Sequence, residues 1–115
     1  MAFNKYAVIR KRQDIFKKTN GLCIYCGCDL IFEDFHMEHA IPKSMKSGDS
    51  RERLFPCCPL CNSIKYNLTI EEFRRKLEED IFYTPHVRMA LKYHNLKKEK
   101  VVFYFEKVGI NVYGK

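Results

Sequence analysis

The segment "FHMEHAIPKS", residues 35 to 44, sets Glu38 directly beside His39 in a short run of alternating apolar and polar residues. A carboxylate can hold a hard divalent cation through oxygen. A neutral imidazole, whose ordinary pKa is about 6.5, can take a proton from water near neutral pH. Asn62, which follows Cys61, offers an amide oxygen of similar hardness to the carboxylate. These are the parts for metal-assisted attack on a phosphodiester. His39 would activate the water, and a cation on Glu38 and Asn62 would stabilise charge on the phosphorane and the departing oxygen. A Glu-His pair alone is more often a surface feature of a strand, so its weight comes from its setting.

That setting is two cysteine pairs, Cys23-x-x-Cys26 and Cys58-x-x-Cys61. Two such knuckles place four thiolates tetrahedrally around one Zn²⁺, at about 2.3 Å each, in a closed structural site. Iron in the same ligands, or unligated thiols, is the alternative. Thirty-one residues separate Cys26 from Cys58, more than the roughly 15 to 20 of a common zinc ribbon. The knuckles therefore clamp the segment that carries Glu38 and His39. Cys28 and Cys57 are left over and are assigned to packing. Two C-x-x-C pairs without a βαβ pattern argue against a redox role.

The elements that must position these residues follow from periodicity and punctuation. "DLIFEDFHMEHAI" alternates around Phe35, Met37 and Glu38 and is closed by Pro42, so it reads as a short strand; "RLFPC" reads as a second, returning antiparallel. "PKSMKSGDSRE" between them is a polar loop. Neighbours in a regular strand face opposite ways, so Glu38 and His39 can share a site only if the chain bends, and irregular backbone is predicted between His39 and Ser44. "NKYAVIRKRQDIFKKTNG" predicts a basic helix with apolar Val8, Ile9, Ile15 and Phe16, stopped by Asn20-Gly21. "CNSIKYN" gives one or two helical turns. Thr69 and Glu72 have capping-box spacing, and Ile70, Phe73, Leu77 and Ile81 form a buried stripe. Thr84-Pro85 opens a further helix, "PHVRMALKYHNLK", and "KVVFYFEKVGINVY" alternates as two strands joined through Lys107-Val108-Gly109.

The 115 residues suit one domain with a modest core, for which a staple such as zinc is expected. The net charge of +7 is uneven. Residues 1 to 20 carry +5, residues 21 to 83 carry −3 and residues 84 to 115 carry +5. Two basic arms flanking an acidic centre fit a protein that grips a polyanion on both sides of a cation-loaded site; a solvated basic surface is the plain alternative. No apolar run approaches the roughly 20 residues that cross a bilayer. "MAFNKYAVIRKRQDIF" opens with charges where a signal peptide needs an apolar stretch. A reducing, cytoplasmic compartment is expected.

Taken together, "CIYCG", "MEHAIP" and "CPLCNSIK" resemble the HNH endonucleases of the ββα-metal, or His-Me finger, class in their zinc-knuckle form. The resemblance covers about residues 21 to 67. It implies an α+β fold, with a small zinc-stapled ββα-metal core flanked here by an N-terminal basic helix and a C-terminal helix plus β-hairpin. One HNH domain would span 1–115, with its core at 21–67 and an extension at 68–115. By position, the resemblance implies that His39 is the general base of a DNA endonuclease. Glu38 and Asn62 would hold a catalytic Mg²⁺ or Mn²⁺, Cys23, Cys26, Cys58 and Cys61 a structural Zn²⁺, and Lys65 would face a phosphate.

Two positions depart from that pattern. Arg53 stands where the family commonly has an Asn that braces the loop, so either the loop is held otherwise or Arg53 serves the phosphate. Glu38 stands where Asp is commoner. A zinc module that binds DNA without cutting it, and an RNA-directed or toxin-type nuclease, are the alternatives. One such site cuts one strand, so cutting both requires a homodimer or two successive nicks. Residues 84 to 115 are the candidate dimer contact or substrate-reading element. His36 shares the strand face of Glu38 and is read as packing or solvent-facing, with a metal or substrate contact as the alternative. His86 and His94 are read as surface residues, Asn67 as a turn residue, and the tail aromatics Phe103, Tyr104, Phe105 and Tyr113 as core before base-stacking.

Overall fold

The computed structural model of the protein describes residues 4–41, 51–78 and 101–113. Its elements run α1 (Lys5–Lys17), β1 (His36–His39), a 3-10 turn (Arg51–Arg53), β2 (Leu54–Cys57), α2 (Pro59–Lys65), α3 (Ile70–Glu78) and α4 (Tyr104–Val108). The predicted helix "PHVRMALKYHNLK" with His86 and His94, Ile81 of the α3 stripe, and residues 42–50 of the loop lie outside the described residues.

The two predicted strands form an antiparallel pair, with His36 opposite Cys57, Met37 opposite Pro56, Glu38 opposite Phe55 and His39 opposite Leu54. Helix α2 follows β2 after the single residue Cys58 and packs back on β1. Thus a strand, a strand and a helix adjoin the first knuckle, which is itself tied to β2 by the Ile24 N–H donating to the Pro56 carbonyl at 2.9 Å. The architecture is α+β.

Two apolar clusters hold this hairpin from either side. The larger gathers Tyr25, Phe73, Phe103 and Phe105 with the cysteines and with Ile64, Ile70 and Leu77. Its rings meet at edge and face: Tyr25 and Phe73 at 5.1 Å, Phe73 and Phe103 stacked at 5.0 Å. The smaller joins Ile15 of α1 to Phe35 and Leu54. Here the basic helix divides its labour. Arg12 lies 4.0 Å over the Phe35 ring and donates to the Phe32 and Phe35 carbonyls, and Lys18 donates to the Leu54 carbonyl at 2.7 Å. Lys5, Arg10 and Lys17 remain exposed. Of the four apolar residues predicted on α1, Ile15 is buried and Phe16 packs beside it, whereas Val8 and Ile9 are exposed.

The capping box of α3 is present, with the Thr69 N–H donating to Glu72 Oε1 at 2.9 Å and the Glu72 N–H to Thr69 Oγ1 at 3.1 Å. Ile70, Phe73 and Leu77 are its buried stripe. The tail differs from expectation. Residues 104–108 are the helix α4, not part of a β-hairpin. Glu106 accepts the Phe103 N–H at 2.9 Å, which caps a helix start, and Gly109 at φ +75° is its left-handed stop. A glycine read as a hairpin turn is a helix terminus, and the alternating Phe103 and Phe105 reach one core from a helical turn.

Candidate active site and metal centre

The first knuckle is a tight turn in which the Gly27 N–H donates to the Cys23 carbonyl at 3.0 Å and the Cys23 N–H to the Cys28 carbonyl at 2.9 Å. Gly27 holds φ +76°, a conformation that favours glycine. In the second knuckle Cys58 caps α2: its sulfur accepts the Cys61 N–H at 3.3 Å, and its own N–H donates to Cys23 Sγ at 3.4 Å. The sulfurs of Cys23, Cys26, Cys58 and Cys61 all lie within 4.8 Å of one another. Cys26 and Cys58 are 3.8 Å apart, which matches the edge of a tetrahedron with metal–sulfur bonds of about 2.3 Å. Packed so closely, the thiols cannot all ionise unaided. Cys58 is pushed down to about 4, opposed by Cys23 and favoured by Cys26, Cys28 and Cys61, while Cys23 and then Cys58 push Cys61 up. A divalent cation would remove that competition, so the cluster suits zinc. Cys57 is buried with its thiol donating to the Cys58 carbonyl, and Cys28 packs half-buried against the same core.

Above this staple α2 lies along β1, and side chains three apart on the helix meet side chains two apart on the strand. Asn62 Nδ2 stands 3.3 Å from His36 Nδ1. One helical turn on, Lys65 Nζ stands 3.0 Å from Glu38 Oε2, with the two side chains only 1% and 7% exposed. The same carboxylate oxygen accepts the Tyr25 hydroxyl at 2.9 Å, and Lys65 also donates to the His39 carbonyl at 3.3 Å. Burial pushes the Glu38 carboxyl above its ordinary value, against the pull of the Lys65 ammonium, the Tyr25 hydroxyl and His39. Burial, and then the Glu38 charge, pushes the Tyr25 hydroxyl well above its own, so it remains a donor.

Lys65 is therefore not a surface cation facing a phosphate. A buried ammonium requires a paired carboxylate, and Glu38 supplies it. His39 is half-buried and ends β1; the chain bends at Ala40 and Ile41, the described part of the stretch predicted to be irregular. Arg53 is exposed and directly precedes Leu54, the strand partner of His39, so Arg53 and His39 share one end of the hairpin. Sequence reasoning missed Tyr25, which reads only as a filler of C-x-x-C. It also missed the His36–Asn62 contact, for which the shared strand face of His36 and Glu38 was the available signal.

Residues 23–68 match the family described as HNH endonuclease. The CRISPR-associated endonuclease Cas9 of Corynebacterium diphtheriae is 33% identical over 57 residues, which make up 49% of this chain and 5% of that protein. Among the described residues no helix is long and apolar enough to cross a membrane.

Proposed function

From the match of residues 23–68 to the HNH endonuclease family, we propose that the protein is a divalent-metal-dependent endonuclease that hydrolyses phosphodiester bonds of DNA. The whole chain acts as one such domain, its core at 21–67, in a cytoplasmic setting. The observation that carries the reading is the thiol-clamped hairpin and helix, which brings the end of β1, with Glu38 and His39, under the α2 turn that bears Asn62.

His39 is the general base. It takes a proton from water as the water oxygen bonds to phosphorus, the bond from phosphorus to the departing deoxyribose oxygen breaks, and that oxygen takes up a proton from solvent to leave as a hydroxyl. Glu38 and Asn62 hold the catalytic Mg²⁺ or Mn²⁺, whose chemistry when bound is to stabilise negative charge on the phosphate and leaving oxygens. Zn²⁺ in Cys23, Cys26, Cys58 and Cys61 is structural. Arg53, exposed at the same hairpin end as His39, takes a phosphate of the substrate, and Lys65 keeps Glu38 in place from behind. The exposed cations of α1 hold the duplex at a distance from the reaction, and cutting both strands uses a homodimer or two nicks.

Supercoiled-plasmid conversion tests this, with chelator-treated, zinc-loaded protein resupplied with Mg²⁺ or Mn²⁺. His39→Ala should lower the nicking rate by at least about 100-fold, the usual worth of a general base, with zinc content unchanged. Retained nicking in that variant would remove His39 from the mechanism. A zinc-loaded wild-type protein that shifts DNA but never cuts it would make the chain a binding module.

A further inference from the structure

We infer that His36 is a ligand of the catalytic cation, alongside Asn62, and that its imidazole makes the site select a transition metal of the Mn²⁺ kind over Mg²⁺. The inference rests on the nuclease reading and adds to it a residue and a cation preference.

The geometry begins with the contact of 3.3 Å between His36 Nδ1 and the Asn62 amide. Turning the amide about its last torsion puts Oδ1 where Nδ2 stands, so both residues then offer a lone pair to the same point. Atoms this far apart suit one ion with bonds of about 2.1 Å to each. His36 is exposed and Asn62 half-exposed, which leaves the outer side of the pair open to water and to a substrate oxygen. Among the described residues, neither apolar cluster includes His36.

Charge supplies the second argument. Glu38, two residues on along the same strand face, is the carboxylate of the site, and its Oε2 already accepts from Lys65 and Tyr25. A carboxylate whose charge is shared with a buried ammonium has less to give a cation. Mg²⁺ parts with its water reluctantly and favours anionic oxygen, so such a site holds it weakly. An imidazole nitrogen offsets this deficit only for metals that accept nitrogen, which the first-row divalent ions do more readily than the hard Mg²⁺, Mn²⁺ the least strongly among them.

The test is a titration of zinc-loaded protein with Mn²⁺, followed by the paramagnetic resonance of the free ion, and repeated with Mg²⁺ as competitor. Zinc content and circular dichroism of each variant are matched to wild type. Wild type should take up one Mn²⁺, with Mg²⁺ competing poorly. His36→Ala should weaken Mn²⁺ binding by at least about tenfold, with less than about a twofold change for Mg²⁺. His36→Asp, which supplies a hard oxygen, should keep the site and let Mg²⁺ compete better. Unchanged Mn²⁺ affinity and unchanged competition in His36→Ala would overturn the inference and leave the nuclease reading intact. Absence of any Mn²⁺ uptake by wild type would overturn both.

Discussion

At the scale of single residues, the main surprise is that Glu38 and Lys65 form a buried ion pair, shared with Tyr25, immediately behind the proposed reaction centre. Removing one member of such a pair strands the other, at a cost of about 3 to 5 kcal/mol, whereas neutralising both costs far less. Lys65→Met alone should therefore lower the urea-unfolding free energy of the zinc-loaded protein by about that amount, and Lys65→Met with Glu38→Gln should recover most of it. The defect should also depend on pH. Burial already raises the Glu38 carboxyl, and without Lys65 it rises further, so the protonated form is the one the fold prefers. Stability of the single variant is then lost as pH climbs through that raised value and regained as pH falls. A defect as large at pH 6, where the thiolates still hold zinc, as at pH 8 would show that Lys65 acts through something other than Glu38. The placement of Glu38 and His39 on β1 and of Asn62 on α2 was legible in the sequence because alternation and the second knuckle mark those elements locally. Tyr25 was not, because its role is a contact across the fold that no spacing records.

At the scale of elements, punctuation residues account for what could be read and for what was misread. The hairpin, the α1 stop and the α3 capping box were legible, since alternation, Asn20-Gly21 and Thr69-x-x-Glu72 act within a few residues. Gly109 was misread, because a left-handed glycine serves a hairpin and a helix end equally and only the Glu106 cap decides between them. Gly27 and Gly109 hold nearly the same φ, +76° and +75°, but a Cβ at Gly27 would meet the Tyr104 ring at 3.1 Å while one at Gly109 would meet nothing within 4 Å. Gly109→Ala should cost the backbone strain alone, about 1 to 2 kcal/mol. Gly27→Ala should cost clearly more in the same urea experiment, because Tyr104 is fixed by its N–H donating to the Tyr25 carbonyl at 2.8 Å. Equal losses would mean that Tyr104 moves aside freely.

At the scale of the whole molecule, the cysteine cluster that could hold a metal is also part of the core. Cys23, Cys57, Cys58 and Cys61 are buried among Tyr25, Phe55 and Phe105, and α4 hangs on the first knuckle through the Phe105 N–H donating to the Ile24 carbonyl at 3.0 Å. Stripping zinc should then dismantle more than the knuckles. Chelation under reducing conditions should abolish cooperative thermal unfolding and most of the helical dichroism together, and zinc should restore both. A stripped protein that still melts cooperatively would show that the aromatic core stands unaided. The charge pattern was legible here only as a total for each arm. That Arg12 and Lys18 turn inward while Lys5, Arg10 and Lys17 face out depends on the aromatic rings and carbonyls beneath them.

The adjacency of Cys57 and Cys58 has a further consequence. Each strand of the hairpin has four residues, and a one-residue slip would turn every side chain of β2 to the opposite face. Such short strands discriminate weakly between the two arrangements by their own pairing. The slip would also bring the Cys57 thiol to the place of Cys58, but Cys61, fixed on its helix, would then be out of step with its partner. Only the observed alignment brings the four sulfurs within 4.8 Å of one another, so a metal held there would act as a proofreader of strand alignment, favouring by coordination geometry the register that closes the four-sulfur cluster.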